Sequence, residues 1–303
     1  MRSELMMKKL ILILLVLFTC LYVSALAEED AAALYEQGAE ALKTGDYATA
    51  AAFFEKAAEL GHPVAQHELG VCYRDGKGVE QSDEKAVEYY RMSADQGHAA
   101  GQSALGYMYS AGRGVEQSDE KAAEYYTLAA EQGDTYAQYN LALSYAYGRG
   151  VEKSDEKAAE YYQLSADRGY PPAIYNLADC YMNGKGVGQS YEKAVELLGL
   201  AAEAGHVGAI TNLGYCYEHG YGVEQSFETA VRCFTHAADQ GEPHAMYNLG
   251  YCYENGNGVE QSYETAARYY WKAGKADLSI AVIALARLYK TNLLPSSFDP
   301  AEE

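Results

Sequence analysis

Basic residues are scarce in this chain. It has 23 lysines and arginines against 43 aspartates and glutamates, which gives a formal net charge of −20. Proteins that bind nucleic acids or anionic membrane surfaces carry basic patches, so this balance argues against both as partners. A basic or neutral protein or peptide fits the charge better. After one N-terminal apolar run, no second run predicts a membrane-spanning helix.

The sequence also lacks the spacings that metal and cofactor sites need. Its 7 histidines are scattered, and no H-x-x-x-H pair or Cys/His cluster has metal-ligand spacing. The Gly-x-Gly segments follow no predicted strand, and they lack both the G-x-G-x-x-G pattern and a Walker lysine. We therefore expect a helix end followed by a loop at these segments, with no catalytic residues, no cofactor and no metal.

The chain does contain one repeating unit of 36 residues. A Gly-x-Gly-Val sequence recurs at this interval, starting at Gly76, Gly112, Gly148, Gly184, Gly220 and Gly256. A fixed period of this size is typical of repeat architectures, in which each unit is one supersecondary element and neighbouring units share a core.

Each unit predicts two helices, one before Gly-x-Gly-Val (the first helix) and one after it (the second helix). In each repeat a serine precedes the second helix, where its hydroxyl can cap free amides. A glycine such as Gly97 ends that helix. The first helix places Ala65, Leu69 and Tyr73 on one face at spacings of four. A small residue follows each leucine, as at Gly70, and we expect it to let two backbones approach closely.

The combination of A-x-x-x-L-G-x-x-Y, G-x-G-V and K/T-A-x-x-Y/F-Y/F resembles the Sel1-like repeat, a relative of the tetratricopeptide repeat. The resemblance covers roughly Ala31 to Tyr289. It implies an all-α fold, a right-handed α-solenoid of antiparallel helix hairpins, and a role as an adaptor in protein complexes.

Residues 1–27 predict a secretory signal peptide. They have a basic start, an apolar run of 14 residues from Leu10 to Val23, and an A-x-A cleavage site before Glu28. The run is short for a membrane span. We expect cleavage, no membrane contact afterwards, and a secreted, periplasmic or otherwise extracytoplasmic location. An uncleaved N-terminal membrane anchor is the alternative, while lipid attachment at Cys20 fits the preceding residues poorly.

The remaining chain predicts three segments. Residues 28–61 predict a tetratricopeptide-like capping hairpin with a short turn, residues 62–274 predict six Sel1-like repeats, and residues 275–303 predict a C-terminal capping helix and tail. Ile280, Val282 and Ile283 are unusually apolar for a terminal unit, so they either cover the final core or mark a contact with a partner.

Five cysteines follow the predicted signal peptide, and four of them share one position in the repeat. Neighbouring helices pack about 8–10 Å apart, whereas a disulfide tolerates a Cα separation of about 7 Å at most. Some members of the resembled family carry a disulfide in each repeat, but that cysteine spacing is not present here. We expect mostly buried free thiols.

Ser-x-x-Lys recurs four times, and with Lys43-Thr44-Gly45 it is similar to elements of serine β-lactamases and penicillin-binding proteins. Some cysteine-rich members of the resembled family have been linked to penicillin binding. A catalytic serine would occur once, however, whereas this serine recurs before the second helix of each repeat. The Ser-Asp-Asn element is also missing. The structural interpretation, an N-cap, is favoured for Ser82, Ser118, Ser154 and Ser190.

In tetratricopeptide-like arrays one face of the first helices lines the concave surface, and the resemblance implies the same here. The repeated asparagines either bond adjacent helix turns or contact a peptide backbone, and the tyrosines are either repeat filler or contact area. Three acids on this face favour a basic residue in the partner. The predicted partner-binding residues are Tyr107, Tyr139, Asn140, Tyr175, Asn176, Asp179, Met182, Asn212, Tyr215, Glu218, Tyr247, Asn248, Tyr251 and Glu254.

The function predicted from these patterns is an exported, non-enzymatic scaffold that binds a protein or peptide on its concave surface. The alternatives are an extracytoplasmic β-lactamase-like or penicillin-binding-like activity on cell-wall material, and a secreted effector directed at a host.

Overall fold

The computed structural model describes residues 28–295 and 298–301, which contain helices and no strand. The predicted all-α fold is confirmed, and the predicted signal peptide lies outside the described residues. The helices are α1 (residues 28–43), α2 (Tyr47–Glu59), α3 (Pro63–Asp75), α4 (Asp83–Asp95), α5 (Ala99–Ala111), α6 (Asp119–Glu131), α7 (Thr135–Tyr147), α8 (Asp155–Ala166), α9 (Pro171–Asn183), α10 (Tyr191–Glu203), α11 (Val207–His219), α12 (Phe227–Asp239), α13 (Pro243–Asn255), α14 (Tyr263–Lys275) and α15 (Ser279–Lys290).

Serine caps begin the second helices, as the sequence predicts. At the start of α6, the Lys121 backbone N–H donates to Ser118 Oγ at 3.2 Å, and Asp119 and Glu120 occupy the first turn. These acids complement the positive end of the helix dipole. The same cap occurs at Ser82, Ser154, Ser190, Ser226 and Ser262.

The two glycines of each Gly-x-Gly-Val loop have different tasks. Gly112 ends α5 in the left-handed conformation, with φ 63°, and its N–H donates to the Met108 carbonyl. Gly114 also has a positive φ, 65°, but it lies against the preceding 36-residue repeat. A Cβ added there would come 2.3 Å from the Asp83 carbonyl oxygen at the start of α4. At the second glycine, the backbones of adjacent repeats are therefore in contact.

At Gly70 and Gly250, the small residue after the leucine has a different role from the one predicted. A Cβ at Gly70 would lie 2.6 Å from the Tyr90 ring, and one at Gly250 would lie 2.6 Å from the Tyr270 ring. Both rings are fully buried. The expected close approach of two backbones is wrong here, because an aromatic side chain of the second helix fills the space.

The described residues divide into two compact units, the first ending at Lys153 and the second beginning at Ser154. In the first unit, each helix from α2 to α7 packs on the next, and the first helices α3, α5 and α7 also touch in sequence. In the second unit, the helices α8 to α15 pack in the same successive manner. Among the described residues, no helix is long and apolar enough to cross a membrane.

The last helix closes the core of the second unit with small and aliphatic residues. Ala281 and Leu288 are fully buried, and Leu294 packs in the same cluster. Ile280 and Ile283 instead have exposed fractions of 50% and 68%. The idea that these isoleucines cover the final core is therefore wrong.

Candidate functional site

A cleft of about 560 Å³ lies across three successive first helices of the first unit, α3, α5 and α7. Small residues of α5 leave this space open between bulkier neighbours. Tyr107 is the predicted partner-binding residue that the structure places in the cleft. The lining residues are His67, Arg74, Asp75, Ala100, Ser103, Ala104, Tyr107, Arg113, Asp134 and Tyr136.

Two arginines in the cleft are already paired with carboxylates. Arg113 donates from Nε and Nη2 to both oxygens of Asp83, at 3.0 and 2.7 Å, across 30 residues of sequence. Arg74 does the same to Asp75, at 2.7 and 3.1 Å. The hydrogen bonds that the arginines donate to these carboxylates raise the pKa of each arginine. The cleft thus presents fixed, mostly compensated charges next to the exposed ring of Tyr136.

Asp134 joins two neighbouring 36-residue repeats at the edge of the cleft. Its Oδ1 accepts from the Ala137 N–H at 2.7 Å, which caps α7, and from the Ser103 hydroxyl at 2.9 Å, which lies on α5. One carboxylate therefore fixes the spacing of two first helices. A surface fixed in this way loses little conformational entropy when a partner binds.

Two of the predicted asparagines make bonds inside the protein. Asn140 Nδ2 donates to the Tyr136 carbonyl in its own helix at 2.9 Å, and Asn212 Nδ2 donates to the Tyr175 hydroxyl of the preceding repeat at 3.2 Å. The structural explanation, bonding between adjacent helix turns, fits Asn140, whereas Asn212 bonds to a neighbouring repeat instead.

The predicted tyrosines fall into two groups. Tyr175 stacks on His206 with ring centroids 4.5 Å apart, and Tyr247 packs 5.5 Å from Tyr270. Tyr215 and Tyr251 are exposed, at 39% and 42%. The first pair fills space between helices, whereas the second pair is available to a partner. Four further predicted residues on the first helices are half-buried: Tyr139, Asn176, Met182 and Asn248.

The three predicted acids differ in their surroundings. Asp179 pairs with Lys185 at 3.1 Å on the surface. Glu254 is buried and accepts from the Tyr270 hydroxyl at 2.8 Å and from Arg287 Nη2 at 2.7 Å. The expectation that Glu254 is open to a basic partner is wrong, because Arg287 from the last helix already pairs with it. Glu218 is buried without such a pair.

In three of the four Ser-x-x-Lys sequences, the serine hydroxyl and the lysine ammonium contact different groups. The Ser118 hydroxyl donates to Glu120 Oε2 at 3.1 Å and accepts from the Lys121 backbone. The Lys121 ammonium lies over the Tyr109 ring, 5.0 Å from its centroid. Lys85 and Lys193 lie in the same way over Tyr73 and Tyr181. These lysines therefore contribute cation–π contacts, and their serines are N-caps.

The capped hairpins, the glycine loops and the contacts between successive first helices define a helical repeat protein of the α-solenoid class. The Sel1 repeat profile matches residues 25–62, 63–98, 99–134, 135–170, 171–206, 207–242 and 243–278. The chain belongs to the Sel1 repeat family. Proteins built from these repeats are generally non-catalytic scaffolds that bind other proteins.

Solved structures support the same assignment. The chain is similar to c5321, a protective antigen of uropathogenic Escherichia coli, with 33% identity and a TM-score of 0.78 over 86% of this chain. It spans 57% of the length of that protein. A Sel1 repeat protein from Oxalobacter formigenes is 28% identical with a TM-score of 0.73, over 79% of this chain and 96% of the other.

A shorter stretch is similar to an enzyme. It is 42% identical over 64 residues to the β-lactamase HcpA of Helicobacter pylori, which is 21% of this chain and 26% of HcpA. The curated relatives that this chain matches are covered over 10% to 26% of their own length.

Proposed function

We propose that this protein is an exported, non-catalytic scaffold that binds a protein or peptide on the face formed by its first helices. The observation that carries this proposal is the cleft of about 560 Å³ across α3, α5 and α7. It combines exposed tyrosine area with arginines that are held in place, and tyrosine and arginine are the residue types that contribute most to protein interfaces.

Export is supported by the N-terminal pattern of a basic start, an apolar run and an A-x-A site. The similarity to a protein described as a protective antigen agrees with an exported location. Absence of catalysis is supported by the geometry at Ser118 and Lys121, where the hydroxyl and the ammonium are engaged with different groups.

The first experiment compares three forms of the purified protein as bait for culture supernatant and envelope extracts. Tyr107→Ala/Tyr136→Ala removes the aromatic surface of the cleft, and Tyr147→Ala is the matched control. Tyr147 is also an exposed tyrosine of α7, at 65%, but it does not line the cleft. We expect quantitative mass spectrometry to find a protein that the wild type and Tyr147→Ala retain and the double variant loses. Equal retention by all three would contradict the use of this cleft.

A β-lactamase activity is the second candidate, because of the similarity to HcpA over 64 residues. Nitrocefin hydrolysis by purified protein tests it directly. Replacing each capping serine in turn supplies the control, since an enzyme would lose activity with one particular serine. We expect no hydrolysis above the background of the heat-treated protein. Activity that survives purification and disappears with a single serine variant would make the protein an enzyme.

A further inference from the structure

Two glutamates of the second unit occupy the same position in successive repeats, Glu218 on α11 and Glu254 on α13. Both are buried, with exposed fractions of 8% and 9%. Burying a carboxylate is unfavourable unless donors or cations compensate for its lost hydration. How each glutamate is compensated therefore shows what its surroundings are suited to accept.

Glu254 is compensated within the chain. The Tyr270 hydroxyl, 16 residues later, and the Arg287 guanidinium, 33 residues later, both donate to its Oε2, at 2.8 and 2.7 Å. The Arg287 side chain remains 56% exposed, so it reaches this carboxylate from the solvent side. The arrangement shows that a carboxylate at this position of a first helix can receive a guanidinium that arrives from outside the core.

Glu218 has neither partner. The residues 16 and 33 positions later are Phe234, which carries no hydroxyl, and Tyr251, which carries no positive charge. Among the described residues, the imidazole of His219 lies near this carboxylate, with its Nδ1 3.7 Å away and within hydrogen-bond distance of the Tyr215 carbonyl, at 3.0 Å. The Glu218 side chain is thus about nine-tenths buried, with 9% exposed, and lacks the donors that Glu254 has.

The surroundings of Glu218 suit a planar cation. Tyr215, one turn earlier on α11, and Tyr251, at the position that Arg287 holds relative to Glu254, are both exposed. Guanidinium groups stack on aromatic rings and bond carboxylates in the same plane. Burial also raises the pKa of Glu218, which a bound cation would counteract.

We propose that Glu218, with Tyr215 one turn earlier and Tyr251 at the repeat position equivalent to Arg287, receives an arginine side chain of the partner protein, in the way that Glu254 receives Arg287. This inference rests on the proposed scaffold function and specifies one chemical feature of the partner. It assigns that feature to the second unit, apart from the cleft of the first unit.

The test uses the whole chain after residue 27 and two small probes, N-acetylarginine amide and N-acetylcitrulline amide. Citrulline has the shape of arginine without its charge. Titrations are followed in ¹H–¹⁵N spectra. We expect the wild type to bind the arginine probe at least tenfold more tightly, with shifts around residues 215–221 and 251. Glu218→Gln should abolish this preference, and Glu224→Gln, an equal charge change in an exposed loop, should preserve it.

A second variant tests the comparison between the two glutamates. Arg287→Gln removes the cation from Glu254, so it should create a second site and raise the stoichiometry from one probe to two. Glu218→Gln/Arg287→Gln should then bind one probe. An unchanged arginine preference in Glu218→Gln, or an equal affinity of the wild type for citrulline, would overturn the proposal. Thermal melting of each variant checks that it remains folded.

Failure of this inference is distinguishable from failure of the scaffold function. If Tyr107→Ala/Tyr136→Ala abolishes protein capture while the wild type shows no arginine preference, the scaffold function stands and the role of Glu218 falls. If the probes bind as expected but no variant alters capture, the arginine site stands and the cleft falls.

Discussion

The contact between Gly114 and the preceding repeat gives the sharpest test of how the repeats are held together. Gly97 and Gly114 both have a positive φ, 81° and 65°. A Cβ at Gly97 would meet no atom within 4 Å, whereas a Cβ at Gly114 would lie 2.3 Å from the Asp83 carbonyl oxygen. Replacing each glycine with alanine therefore separates the conformational cost from the steric cost.

The expected magnitudes follow from these two geometries. A left-handed conformation costs an L-residue about 1–2 kcal/mol, and the lower entropy of the unfolded chain returns about 0.4–1 kcal/mol. Gly97→Ala should therefore lower the free energy of unfolding by about 1 kcal/mol. Gly114→Ala carries the same cost and must also displace the start of α4, and overpacking of this kind costs about 1–3 kcal/mol. We expect a total loss of about 2–4 kcal/mol.

Urea denaturation followed by circular dichroism at the helical band measures both losses, and hydrogen exchange of α4 and α6 locates them. Gly112→Ala is a useful third variant, because the nearest atom to its Cβ would be Gln117 Cβ, at 3.1 Å. It should fall between the other two. If Gly114→Ala destabilises the protein no more than Gly97→Ala does, the idea that the packing of neighbouring repeats depends on this backbone contact is refuted.

Three further predictions concern the caps, the thiols and the buried acid. Ser118→Ala should lower the free energy of unfolding by about 1 kcal/mol in urea, and Ser118→Asp should restore most of it, since aspartate also caps helices. Burial raises the pKa of Cys252 to about 12, so at pH 8 iodoacetamide should label it far more slowly than half-buried Cys233, as peptide mass spectrometry would show; equal rates would refute this. Burial raises the pKa of Glu218 in the folded state, so this residue stabilises the fold less as pH rises through that pKa. Glu218→Gln should therefore raise the melting temperature at pH 7 by about 2 °C, with no gain at pH 4, and a lower melting temperature would contradict this.

The local features of the fold could be predicted from the sequence because they depend on neighbouring residues. Ser118 as an N-cap and Gly112 as a helix end follow from the preferences of serine and glycine at those positions. The contact of Gly114 with Asp83 could not be predicted, since it depends on the distance between neighbouring repeats rather than on the residues adjacent to Gly114. The misjudged role of Gly70 has the same cause, because the Tyr90 ring belongs to the next helix.

The site shows the same division. The helix face on which Tyr107 lies could be predicted from the repeat period, but Arg113 and Tyr136 could not be assigned to the cleft. The Arg113–Asp83 pair spans 30 residues of sequence, and the pairing of Glu254 with Arg287 spans 33. Pairings at close to one repeat length are the pattern that could have identified them.

The second glycine of each loop rests on main-chain atoms, so this one contact between repeats does not depend on which side chain the neighbour carries there. A tandem duplication or an in-frame loss of one 36-residue segment would rejoin the same main-chain surfaces. Copy number is therefore a property that recombination can alter while keeping the same main-chain junction. Such a protein can lengthen or shorten the surface of its first helices by whole modules and keep the chemistry of every remaining module.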